Sequence, residues 1–137
     1  MEPCVTGIMK NLAMLAALAL TAGCQVIPEA PNVVGTPVAE GRAVPLRQPV
    51  AVGDLVVTPW AVKEDSRCPI NARCVWAGRL VVTTRIDGDG WRDTADIQLG
   101  ETYGTHGRVI ALVSGEPGRT TDRETQPGEY RFVYEAR

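Results

Sequence analysis

The sequence predicts an all-β protein: a small antiparallel β-sandwich or barrel of about six to seven strands, preceded by a signal helix and a disordered tether. Composition is the first reason. Val, Ala, Thr and Gly are abundant, while the aromatics amount to three Trp, three Tyr and one Phe, which suits thin β layers better than thick helical packing. The second is a series of short β-rich runs divided by turn signals: 50–52, 55–58, 80–86, 91–99, 109–113 and 130–134. The third is that no helical period interrupts them, so the strands are joined by short turns and fold antiparallel.

Alternation is clearest in three runs. Val82, Thr84 and Ile86 share one face. Ala95, Ile97 and Leu99 share another, with Arg92, Thr94, Asp96 and Gln98 opposite. Tyr130, Phe132 and Tyr134 oppose Arg131, Val133 and Glu135. Such faces require a second layer to cover them. The 137 residues, 45% hydrophobic and 22% charged, describe one globular domain plus extras. A formal net charge of −2 and an isoelectric point near 5.4 give no positive field to follow a nucleic-acid backbone, so no nucleic-acid partner is expected.

The N-terminal segment has a different character. Lys10 precedes an apolar run from Leu12 to Leu20 that is too short to span a bilayer and ends in small residues, as a secretory signal does. Glu2 and Pro3 stand where a signal wants positive charge, so translation is expected to start at Met9, which leaves Cys4 without a role. Residues 1–23 are read as the signal peptide. Its ending, Leu20-Thr21-Ala22-Gly23-Cys24, resembles the lipobox of bacterial lipoproteins. The resemblance implies cleavage before Cys24, a diacylglyceryl thioether on its sulfur and acylation (palmitate) of its new amino group. Several chains hold a membrane far more firmly than one. Gln25 stands where aspartate commonly marks inner-membrane retention, so the resemblance implies the outer membrane of a Gram-negative cell envelope. Residues 24–43, with Pro28, Pro31 and Pro37, read as an extended tether, and the β domain is expected over 44–137.

Asp87-Gly88-Asp89-Gly90 invites a calcium reading, but Trp91 and Gln98 occupy positions where an EF-type loop needs ligands. Asp-Gly between two alternating runs is hairpin chemistry, and no metal or other cofactor is expected.

The most distinctive segment runs from Glu64 to Gly78: Glu-Asp-Ser-Arg-Cys-Pro-Ile-Asn-Ala-Arg-Cys-Val-Trp-Ala-Gly. It resembles a signature of bacterial lipoproteins and secreted proteins that have no established activity, and the likeness extends loosely over residues 45–137. It implies fold and location and imports no catalytic residue. In an exported chain Cys68 and Cys74 are the thiols left after lipidation and are expected to pair. Zinc would need His106 and a distant fourth ligand, and a redox pair would want Cys-x-x-Cys. Trp76 is expected to pack as a core anchor beside the bridge, with Ala77-Gly78 allowing another chain to approach closely. Glu64, Asp65, Arg67, Arg73 and Arg79 are read as ion pairs that brace the loop. Ser66 and His106 do not have the spacing of a catalytic triad: no elbow glycines flank Ser66, and His106 lies between Gly104 and Gly107 in a loop.

These readings point to a lipid-anchored envelope lipoprotein with a non-enzymatic binding or structural domain. Its partners would be the membrane, through the anchor, and an envelope protein or cell-wall component. The alternative is an inhibitor of an external hydrolase, a protease or lysozyme, that presents Ile70, Asn71, Ala72 and Arg73 from the Cys68–Cys74 loop. Whether those side chains stand out or fold back onto Trp76 separates the two. Transport of a small molecule would need a cavity that so short a sandwich does not enclose.

Overall fold

The computed structural model describes residues 34–137, so the signal segment, the lipobox and Cys24 lie outside the described residues. Seven strands form two antiparallel sheets. One sheet carries β1 (Val50–Val52), β2 (Leu55–Asp65), β3 (Leu80–Gly88) and β4 (Trp91–Gln98) in that order. The other carries β5 (Thr102–Thr105), β6 (Arg108–Glu116) and β7 (Arg131–Ala136), with a single 3-10 turn at Pro127–Glu129 before β7. The expected all-β, antiparallel architecture is the one observed.

The three alternating runs behave as their pattern dictates. Val82, Thr84 and Ile86 are fully buried, as are Phe132 and Tyr134, while Ile97 is buried between exposed Asp96 and half-buried Gln98. These residues meet Val50, Val52, Leu55, Val57, Ile110 and Leu112 in one core between the sheets. The hydroxyls of Thr84 and Tyr134, 2.8 Å apart, form a polar link across that core. Burial pushes the Tyr134 hydroxyl's pKa well above its ordinary value, so it remains a neutral partner.

The Asp-Gly hairpin is present. Gly88 faces Trp91 across the turn Asp89-Gly90, and Gly90 takes the positive φ of 76° that the turn needs. Asp87 is buried and its charge is directed to Arg92 and, at 3.7 Å, to Arg85.

Three details differ from the sequence reading. No strand is expected from sequence over Thr102–Thr105, yet β5 forms there; it is short, contains Gly104, and pairs through a two-residue turn in which His106 and Gly107 both have positive φ, the geometry that matches strand twist. The run expected to end at Thr58 continues to Asp65, past Pro59 and through two bulges. Pro59 is tolerated because no strand pairs with β2 on that side beyond Val57; the Pro59 carbonyl accepts from Arg47 N–H, at 2.7 Å. Finally, the end of the segment read as tether is bonded to the domain. Val38 pairs with the β1 edge through Pro49 and Ala51, and Glu40 accepts from the amides of Gly53 and Ala136. The ordered unit therefore begins before residue 44.

Candidate functional site

Between β2 and β3 the chain leaves the sandwich as a long loop, Ser66 to Arg79, that carries every candidate binding residue. Its two limbs are laced together at the base. Ser66 N–H donates to Arg79 O and Cys68 N–H to Ala77 O, both at 2.8 Å, and Arg79 N–H donates to the Ser66 hydroxyl. Gly78 has φ 68°, and a Cβ there would lie 1.8 Å from Ser66 O, so glycine is required. The close approach expected at Ala77-Gly78 is real, and the approaching chain is the loop's own entering limb. Further out, Cys68 and Cys74 form the expected disulfide.

A second set of bonds ties the loop to the connection between β6 and β7. Arg67 turns inward and holds Asp65 with both ends of its guanidinium, at 2.8 and 2.9 Å, while donating to Gly115 O and Pro117 O. Tyr130 O–H donates to Asp65 at 2.7 Å. Burial pushes the Asp65 carboxyl up, but Arg67 and Tyr130 together outweigh it and hold the group below its ordinary value. Burial, reinforced by the same carboxylate, pushes Tyr130 up to about 12. Arg119 donates to Arg67 O, Ile70 N–H donates to Arg119 O, and Asn71 exchanges two side-chain bonds with Thr121. Glu64 pairs with Arg79 at 2.6 Å. The charged residues thus brace the loop as expected, except Arg73, which has no charged partner among the described residues.

Bracing fixes the backbone and leaves the side chains outside. Ile70, Asn71, Ala72 and Arg73 are all exposed. Trp76, expected in the core, is instead 81% exposed, beside a fully exposed Val75, and Ile70 is 76% exposed. The core between the sheets is filled by other side chains, Tyr130, Phe132 and Tyr134 among them, and Trp76 lies instead on the outer side of the first sheet, near Glu64 and Gln98. Ile70, Ala72 and Arg73 therefore stand out rather than fold back onto a buried Trp76, while Asn71, though exposed, turns its side chain to Thr121.

No local sequence pattern marks what lies beside Trp76. Register places Glu64, Val81 and Gln98 in one row across the outer face of β2, β3 and β4, with Thr83 and Asp96 in the next. Lys63, displaced at a bulge, reaches Asp96, which also accepts from Thr83 at 2.7 Å. Lys63 first and Thr83 second hold the Asp96 carboxyl below its ordinary value. Above this face lie two open depressions of about 530 and 510 Å³ that share Glu64, Arg79 and Gln98. Trp76 walls the first and Asp96 lines the second. The alternation in 91–99 had put Asp96 and Gln98 on the outer face, but the β2 bulge and the loop's return across Glu64 leave no local signal.

Ser66 and His106 are not brought together. Ser66 bonds to Glu64 and Arg79, whereas His106 bonds to Thr105 and stacks on Trp91 at 3.7 Å. No family model, curated protein or solved structure matches the chain, which leaves its own geometry to indicate what it does.

Proposed function

We propose that the chain is a lipid-anchored lipoprotein of the cell envelope, held through Cys24 at the outer membrane, and that its β domain is a non-enzymatic binding module. One observation carries the binding half of this reading: large apolar side chains at Ile70, Val75 and Trp76 stand in solvent on a loop whose backbone is fixed at both limbs. Adjacent exposed apolar side chains such as Val75 and Trp76 mark interaction sites, and a prefixed loop loses little entropy on binding. The lipobox-like ending at Cys24 and the Cys68–Cys74 bridge, which suits an oxidising compartment, support the location.

A second reading, inhibition of an external hydrolase, is favoured by Arg73, which has no partner among the described residues and lies on the same exposed, braced segment, since Arg and Trp are common anchors at tight interfaces. The test combines two variants of the full chain. Cys24→Ala is expected to abolish partitioning into detergent and release soluble protein; unchanged membrane association refutes the anchor. Pull-down from native membranes is expected to recover a partner that Trp76→Ala loses. Inhibition of a protease or lysozyme that disappears in Arg73→Ala would establish the second reading instead.

A further inference from the structure

The groove beside Trp76 has the chemistry of a specific ligand class, and we infer that it binds a neutral oligosaccharide chain. The inference deepens the binding-module reading and rests on it.

A pyranose ring has a C–H face that is apolar and a rim of hydroxyls that both donate and accept. It is recognised by a flat aromatic surface for the face and by planar polar groups for the rim. Trp76 supplies the first. Its indole is exposed, its N–H is unbonded among the described residues, and the next residue, Ala77, is fixed by its carbonyl accepting from Cys68 N–H. Ala77 and Gly78 are too small to cover the flank of the ring.

The rim contacts come from the sheet. Among the described residues Gln98 makes no side-chain hydrogen bond, so its amide offers a donor and an acceptor in one plane, matched to neighbouring hydroxyls or to an acetamido group. Glu64 is held by Arg79 and by the Ser66 hydroxyl, and the Glu64 and Arg79 side chains remain 37% and 55% exposed beside the groove. Arg79, Glu64 and Gln98 line both depressions, so the groove continues from Trp76 to Asp96 and fits a chain rather than a single ring. Each depression is in the volume range of ordinary ligand clefts.

Charge decides the class. Glu64 is matched by Arg79 and Asp96 by Lys63, so the groove presents no net field to an anion such as a phosphate or a sulfated sugar. Beside the apolar surface of Trp76, Ala77 and Gly78 the same groove carries the polar groups of Glu64, Ser66, Arg79 and Gln98, the pairing of apolar face and polar rim that a sugar ring presents.

The test is titration of the detergent-solubilised full chain with N-acetylglucosamine tetramer, cellotetraose and a sulfated tetrasaccharide, read by tryptophan fluorescence and by saturation-transfer NMR. At least one neutral tetramer is expected to bind and the sulfated one not. Trp76→Ala should weaken binding at least tenfold, Trp76→Phe should keep most of it, and Gln98→Ala should weaken it several-fold, all with unchanged melting. Absence of binding by both neutral tetramers, or wild-type binding by Trp76→Ala, overturns the inference. A photoreactive residue at position 75 separates the two levels of failure. Capture of an envelope protein without sugar binding removes the glycan and keeps the binding module; neither capture nor sugar binding removes both.

Discussion

Asp65 sits at the root of the disulfide loop with its side chain only 8% exposed, where burial by itself would favour the neutral acid. Arg67 and Tyr130 reverse that outcome, and the folded-state pKa lies below the ordinary value. An unfolded Asp titrates near ~3.9, so its contribution to stability is complete above that pH and is lost as pH falls through the lower folded value. Urea midpoints measured from about pH 5 down to about pH 2 should therefore fall, and Asp65→Asn should flatten part of that fall. At neutral pH the same variant leaves Arg67 buried without its partner and should cost about 3 kcal/mol. An unchanged pH profile in Asp65→Asn would refute the assignment. Trp76 gives the opposite expectation. Being exposed, its removal should change the unfolding free energy by no more than about 0.5 kcal/mol in a denaturant titration. An aromatic beside a cysteine and a strand reads as core from sequence, since burial there depends on whether distant residues have already filled the volume. Tyr130, Phe132 and Tyr134 have done so.

The loop from Ser66 to Arg79 shows which elements a sequence discloses. The bridge was legible because Cys68 and Cys74 are close in sequence and an expected export would favour their oxidation. The clasp between Asn71 and Thr121, and the reach of Arg67 to Gly115 and Pro117, span about fifty residues and carry no local pattern. Strand β5 was illegible for a related reason: a four-residue strand containing glycine forms because β6 pairs with it. Replacing both cysteines with serine should cost about 2 kcal/mol by the loop-entropy model. Hydrogen exchange should then show faster exchange at the Cys68 amide, while the Ile70 amide, held by Arg119, keeps part of its protection. Equal loss at both amides would mean that the clasp with the β6–β7 connection depends wholly on the bridge. Gly78→Ala tests the lacing separately, because its Cβ meets the backbone of Ser66, and it should disorder the loop with the disulfide intact.

At the scale of the whole molecule, two sheets with different partners must be kept in one register, and apolar packing alone allows them to slide. The alternation in β3, β4 and β7 told which residues face inward, which made the two-layer architecture legible. It did not tell that Thr84 and Tyr134 would face each other across fifty residues. Thr84 Oγ1 also lies 3.2 Å from Val82 O and can donate there, leaving its oxygen to accept from Tyr134. The two ends of this link are then unequal. Tyr134→Phe removes the donor and leaves Thr84 bonded to Val82, so it should cost about 1 kcal/mol. Thr84→Val strands a fully buried tyrosine hydroxyl without a partner, and that should cost more, about 2–3 kcal/mol. The double variant should be less destabilised than the sum of the two, because removing both polar groups leaves nothing unsatisfied. Chemical denaturation of the four proteins measures the coupling directly. Additive losses would show that the two hydroxyls do not depend on each other, and that the sheets are aligned by packing and by the Val44–Phe132 backbone pair instead.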